Sequence, residues 1–544
     1  MKRLCFLLLG SVLLGGSVRA AEWQWSVPVP PLADRPNETP RAFLWIPPDC
    51  ERVRGVVFGH HNMEEIALFE HPVFRRTLAE LKFAVVWVAP TFDRNFRFDQ
   101  GAGEKFDAML AALAVESGYA ELTNAPLVPC GHSAAASLPW YMAAWQPERV
   151  IAGVSFSGQL PYWSDPANAP HVVGMSVDTV PGIISMGEYE AADDVMARGI
   201  KMRAEHPQMP FSALGCPADG HFAMLDEKVE LLALYVKKAA QYRLPKNYSG
   251  GAVTLNPIDV TKTGWLAERY ATDKNPSAPA APVGEFKGVG TNAFWYFDGE
   301  LAKAVEAFQQ KQRGRAALLG YLQDGQIVPQ NKNTHQQVTL KFLPQGDGVT
   351  FKLTGAFLDI VPEGRPERWT GKKAGERIEP PQTKVPIEIK RICGPVEKLS
   401  EDTWRVAFNR ASFLGDGRGN EAWFAAVWPG DGGFKRAVQQ AMLPIPRRLS
   451  EGTAQQIVFP GISNQKRDVK AVTLQALSDS GLPVGFFVRE GPAELDGNTL
   501  KFTALPPRAK FPVRVTVGAY QFGRLAEPKI QSAAPVFQTF LIEP

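Results

Sequence analysis

Cysteine is scarce in this chain, with five in 544 residues. Cys5 lies too early in an apolar N-terminal segment to be a lipidated lipoprotein cysteine. Cys50, Cys130, Cys216 and Cys393 are spaced too widely for a disulfide-dense scaffold or a zinc motif. Cys130 reads as a small buried strand residue, and a bridge involving Cys50 or Cys216 stays open. Long apolar runs are missing too: beyond residue 20 nothing reaches the ~18 uninterrupted apolar residues of a spanning helix. Nor is there an excess of charge, with 59 Lys and Arg against 56 Asp and Glu.

What is present begins with an address. Lys2 and Arg3 precede an apolar segment at 4–14, and Val18-Arg19-Ala20 places small residues at the two positions a signal peptidase reads. Residues 1–20 therefore read as a secretory signal peptide cut after Ala20, and the mature protein is expected to be secreted or periplasmic. Lys2, Arg3 and Arg19 leave with it, so 56 basic side chains face 56 acidic ones. A formally neutral chain gives no reason to expect nucleic acid or an anionic membrane as partner.

The length suggests roughly three or four domains of about 150 residues. From 41 to 243, short β-branched runs alternate with helical stretches. Strands are expected at 41–46, 55–59, 84–89, 125–130, 150–155, 181–186 and 210–214, and helices at 73–81, 103–117, 134–145, 193–205 and 225–242. This alternation predicts a mostly parallel sheet with helices on both faces, whose sites gather at the carboxyl ends of its strands. Residues 246–315 are rich in Pro, Gly, Ser and Ala around one helix at 300–312, and read as a linker or wrapping segment. Residues 316–450 turn to period two and predict a β-rich domain, with 338–343 and 349–354 as a hairpin. Residues 451–544 predict a small β-sandwich.

Within the first of these units, 21–245, the stretch Gly131-His132-Ser133-Ala134-Ala135 sits between a strand and a helix. A sharp strand-to-helix turn needs small residues two places either side of the serine, and Gly131 and Ala135 qualify. The pentapeptide resembles the G-x-S-x-G nucleophile elbow of the α/β-hydrolase superfamily, with Ala135 in place of the second glycine. That resemblance implies an α/β-hydrolase fold and, in chain order, a serine, an acid and a histidine. Gly187-Glu188-Tyr189-Glu190 resembles the family's acid-bearing strand end, and Asp219-Gly220-His221-Phe222 its histidine loop. The implied triad is Ser133 as nucleophile, His221 as general base and Glu190 as the acid that orients it, with Glu188, Asp193 and Asp194 as competitors for the last role. Asp219 would shape the histidine turn. For the oxyanion, the resemblance implies the N–H of Ala134 and that of His61, or of the neighbouring Asn62, in the loop Gly59-His60-His61-Asn62. His60, His61 and His71 read as pocket-lining rather than metal-binding, because Glu64 and Glu65 follow no ligand spacing. No metal or cofactor is expected. Phe92, Phe96, Phe98, Tyr162, Trp163 and Tyr189 fall on loops of the catalytic side and suggest a cleft for a sugar or aryl group.

In the last unit, Ser480-Gly481-Leu482-Pro483-Val484 followed by Gly491-Pro492-Ala493 resembles bacterial Ig-like modules, which implies a spacer or, alternatively, a ligand-binding role. Together these likenesses imply a secreted serine esterase acting on an acylated carbohydrate or a small ester. A lipase lacks support for want of a long apolar lid. An oligopeptidase would carry its extra domain before the catalytic one. The other class to weigh is a non-catalytic glycan-binding or adhesion protein built on an inactive hydrolase domain.

Overall fold

The computed structural model describes residues 22–33, 35–93, 95–162, 175–414 and 417–544; the segment 1–20, expected to be a signal peptide, and Trp163 lie outside the described residues. Among them no helix is long and apolar enough to cross a membrane.

Eight strands form the N-terminal sheet: β1 (Trp25–Pro28), β2 (Arg41–Trp45), β3 (Gly55–His60), β4 (Phe83–Ala89), β5 (Leu127–His132), β6 (Gly153–Phe156), β7 (Gly182–Gly187) and β8 (Phe211–Cys216). Their order is β1-β2-β4-β3-β5-β6-β7-β8. The first three in that order are antiparallel, and from β4 onward every pair is parallel. Every residue of β3 to β8 is buried, which is why these strands read as near-continuous apolar runs. The short β1 falls below the length at which periodicity can be read, and it was not expected.

Helices α1 (Glu65–Phe69), α2 (Pro72–Leu81), α3 (Ala102–Ser117), α4 (Leu138–Trp145) and α5 (Ala192–Glu205) lie in the crossovers, and α6 (Asp226–Arg243) follows β8. On one face Trp145 of α4 lies against Gly103 and Phe106 of α3, while α2 and α6 pack on each other. Cys50, Cys130, Cys216 and Cys393 are all buried free thiols.

The Pro-rich segment is ordered against this unit. Strands Trp265–Glu268, Ala281–Pro282 and Ala293–Tyr296 form a small sheet, and helix Gly299–Gln309 follows. Ser212 Oγ donates to Trp295 O at 2.6 Å and Tyr296 OH to Ala213 O at 2.7 Å, tying the segment along β8.

The next unit is β-rich, with Glu421–Trp428 and Ala437–Pro444 at the centre of a five-stranded sheet. Its expected hairpin does not form. Gln337–Thr339 pairs in parallel with Ala437–Pro444, and Thr350–Lys352 pairs antiparallel with Thr403–Val406 in another sheet. Period two tells which face of a strand is buried and not which strand lies beside it, and here the two halves cross between sheets.

The last unit builds a four-stranded sheet on Val513–Tyr520 and Val536–Glu543 and a three-stranded one on Thr499–Phe502. It is docked rather than tethered. Gly491 N donates to Trp23 O at 2.9 Å, Arg41 lies 3.2 Å from Glu490, and Arg508 pairs with Glu121 at 3.0 Å. Val515, Val517 and Phe540 join the same apolar cluster as β1 to β8.

The two loops that carry Glu190 and His221 meet where β7 ends. A Cβ on Gly187 would overlap the carbonyl oxygen of Asp219, so only glycine lets the two loops touch. Gly187→Ala is therefore expected to lower stability by about 1–3 kcal/mol through overpacking. A melting curve of the two proteins checks this, and an unchanged midpoint would show that the loops can part without cost.

Candidate active site

The β5 strand ends at His132, and Ser133 follows with φ of +53°, a left-handed conformation rare for a side chain of this kind. A Cβ on Gly131 would collide with the Ala135 carbonyl, which explains the small residues of the turn. Held in this way, Ser133 is partly exposed and Ala134 exposed, at the carboxyl end of a central strand.

His221 reaches it from the loop after β8. Its Nε2 lies 2.7 Å from Ser133 Oγ, and its Nδ1 lies 2.7 Å from Glu190 Oε1 on the loop after β7. The competing acids are engaged elsewhere. Glu188 binds Lys435 Nζ at 2.5 Å and accepts from Ala218 N at 2.7 Å. Asp193 accepts from Thr272 N at 2.9 Å, and the exposed Asp194 faces Arg368 at 3.5 Å. Burial pulls the His221 imidazole below its ordinary value of 6.5, and the Glu190 carboxylate beside it opposes that without cancelling it. For Glu190, burial works upward, but the contacts with His221 and His335 overcome it and hold the acid far below the usual carboxylate range. The resting pair is a neutral imidazole against an ionised carboxylate.

The loop after β3 is arranged differently from expectation. The His61 N–H donates to Val88 O at 2.7 Å, extending the β3–β4 ladder by one residue, and the Asn62 N–H donates to Glu65 Oε2 at 3.0 Å. In this conformation the backbone N–H groups of His61 and Asn62, the expected oxyanion donors, are thus both bound within the protein. Glu65 also accepts from Met63 N at 2.9 Å and His132 N at 2.9 Å, while the Asn62 side-chain amide donates to His132 O at 2.8 Å. Loop and serine turn are thus joined through one buried carboxyl.

Of the histidines expected to line a pocket, His61 and His71 line one cleft and His60 does not. His60 is fully buried in β3, the His61 ring meets Trp87 edge-on, and His71 caps α2 while facing Asp226 at 3.1 Å. Among the described residues the expected aromatic cleft is not assembled. Phe92 and Phe96 pack with Phe106 in the core, where Phe98 is partly buried against the same cluster; Tyr162 stacks on His206, and Tyr189 lies under Trp369. A cleft of about 540 Å³ does open nearby, between Met63, Ile66, Met224, Ile392 and Trp423, but Ser133 and His221 do not line it.

What sequence reading missed comes from the β-rich unit. His335 stacks on His221, Arg436 binds Asp219 at 2.7 Å, and Gln440 accepts from Phe222 N at 2.7 Å. One signal was available: of the eight histidines, His335 alone lies beyond residue 221.

No protein-family model and no curated protein sequence matches this chain. Among solved structures it is similar to the esterase Est1E from Butyrivibrio proteoclasticus, at 16% identity over 39% of this chain and 96% of that one, with a TM-score of 0.27. It is also similar to a hyperthermophilic esterase from the archaeon Pyrobaculum calidifontis (18% identity, 40% and 85% covered, TM-score 0.29). A third is LpqC, a poly(3-hydroxybutyrate) depolymerase from Bordetella parapertussis (14% identity, 42% and 93% covered, TM-score 0.30). By its strand order and its serine turn, the N-terminal sheet has the α/β-hydrolase fold.

Beneath the elbow, Glu64 is fully buried beside the Met224 backbone, 3.4 Å from a His132 Nε2 that is nearer to His221 O, at 3.1 Å. Burial pushes its acid up from 4.5 to about 8. The folded protein keeps a proton that the unfolded chain gives up near 4.5, so stability falls as pH rises from 4.5 through 8. Glu64→Gln removes that dependence. Its melting temperature relative to the parent is expected to climb between pH 5 and pH 9, and a constant difference across the range would show that Glu64 does not titrate this way.

Proposed function

We propose that this protein is a serine hydrolase that cleaves ester bonds through an acyl-enzyme, with Ser133 as nucleophile, His221 as general base and then acid, and Glu190 as the group that fixes the imidazole. The observation that carries this reading is the pair of 2.7 Å contacts from His221, one to Ser133 Oγ and one to Glu190 Oε1. An imidazole bridged in this way takes the hydroxyl proton as Oγ bonds to the ester carbonyl carbon, and then delivers it to the leaving alkoxide. Water enters next, loses a proton to His221, and releases the acid and the free serine. Glu190, already ionised, balances the imidazolium that forms in each half. The N–H of Ala134, directly after the nucleophile, is the donor assigned to the oxyanion.

The substrate class we assign is an acylated carbohydrate, or a small ester of the same kind, reached by a protein exported through the segment 1–20. The exposed position of Ser133 and Ala134 suits an ester carried on a larger molecule. A peptidase or lipase of this fold would use the same three residues. The non-catalytic reading is disfavoured by the direct contact between His221 and Ser133, since a binding scaffold has no need of an aligned base.

Hydrolysis of p-nitrophenyl acetate by the parent and by Ser133→Ala tests the assignment. The variant is expected to lose at least about a thousandfold in kcat, together with labelling by a fluorophosphonate. A variant as active as the parent would overturn it. Because burial holds the base below 6.5, the acidic limb of kcat/KM is expected to have its midpoint under pH 6.5. A midpoint clearly above that value would mean that another group is the base.

A further inference from the structure

The triad histidine has a second histidine on its face. The His335 ring lies parallel to that of His221, 4.0 Å between centroids and 16° between planes. Its Nδ1 is 3.3 Å from Glu190 Oε1, the same oxygen that His221 meets at 2.7 Å. That oxygen is in line with His221, so His335 approaches it from a parallel plane, too bent for a straight hydrogen bond yet close enough for charge to act. Glu190, His221 and His335 bring donor atoms within 4.8 Å of one another, as a cation site would. Two stacked rings, however, cannot both aim in-plane lone pairs at one ion, and the geometry is that of a stacked pair.

His335 is held there at a cost. It and Gln336 are consecutive non-glycine residues with φ of +53° and +57°, a strain that persists only where the surroundings over-determine it. The surroundings do so. Gln440 donates from Nε2 to His335 O at 3.1 Å and accepts at Oε1 from Phe222 N at 2.7 Å, so one amide grips both histidine loops. The neighbouring Gln439 donates to Gln336 O at 3.0 Å, and Gln336 itself donates to Gln330 at 3.0 Å and to Glu363 O at 2.8 Å. A Cβ on Gly220 would press on the Gln440 amide, and glycine there permits the approach.

We propose that His335 is a positioning residue of the triad: its ring fixes the plane of the His221 imidazole, and its Nδ1 shares the Glu190 carboxylate, so the β-rich unit carries part of the active-site machinery. This rests on the triad reading above. The groups that face the pair are Glu190 from the loop after β7, Lys228 from α6 and His132 from the elbow, while Asp219 of the histidine loop is paired with Arg436. Of these, Glu190 raises the proton affinity of His221, while Lys228 and His335 lower it. Without His335 the imidazole turns more freely, and its proton is held more tightly.

The test uses the full-length protein with His335→Ala and His335→Phe, p-nitrophenyl acetate as substrate and a fluorophosphonate as active-site label. His335→Ala is expected to lower kcat about tenfold with KM within twofold, and to move the acidic limb of the profile up by about half to one pH unit. His335→Phe keeps a ring to stack and is expected to recover most of kcat while keeping the shifted limb. A purely structural role would lower activity and melting temperature together without moving the limb, and would overturn the proposal. Should the alanine variant not fold, the phenylalanine variant decides by the position of its limb. If the parent labels at Ser133 and both variants match its kcat and profile, the role of His335 fails alone. If the parent does not label, the triad reading fails and this role with it.

Discussion

An imidazole removed from water keeps its place only if both ring nitrogens have partners, and in this chain those partners come from two separate loops. His221 is almost wholly buried, with Ser133 on one side and Glu190 on the other. Each loop ends a parallel strand, so the register of β5, β7 and β8 sets the spacing of the three groups. Glycine at 131 and at 187 then allows the turns to close on one another. Burial alone would weaken the base, and the Glu190 carboxylate returns part of its proton affinity.

The β-rich unit is bound to this arrangement by charges that water cannot reach. Lys435 with Glu188 and Arg436 with Asp219 are buried ion pairs, one from each loop flanking the imidazole. Such pairs contribute little net stability, since desolvation offsets most of the attraction, but breaking one strands a charge. Their effect is to set the register between the units. With Gln440 between His335 and Phe222, the histidine loop has contacts on both sides and no slack. The cleft lined by Met63, Met224 and Trp423 opens in the same seam.

How far the site could be read beforehand follows the range of the interactions involved. The strands of the sheet were legible because parallel strands covered on both faces are apolar throughout, and the serine turn because its steric demand falls on adjacent residues. Glu190 and His221 were legible only as likenesses at strand ends; their meeting depends on packing. The strand Ala437–Pro444 went unread because two glutamines interrupt its apolar pattern, and these are the residues that hold His335. A buried amide with partners looks the same in sequence as an exposed one. The hairpin at 338–354 failed for a related reason, since periodicity carries no information on which sheet receives each half.

The oxyanion loop shows the same limit most sharply. Counting from the end of β3 points to His61 and Asn62, but a backbone N–H has a direction that no side-chain pattern encodes. Glu65, a turn further on, sends its carboxyl back beneath the loop and gathers the N–H groups of Asn62, Met63 and His132. Burial drives its acid upward even against those three donors, so the carboxyl is a costly group kept in place by the backbone it organises. The Asn62 N–H can turn toward Ser133 only by leaving that carboxyl, and the His61 N–H only by leaving the Val88 carbonyl. In the proposed mechanism, stabilisation of a tetrahedral intermediate therefore falls first on Ala134, whose N–H directly follows the strained turn at Ser133.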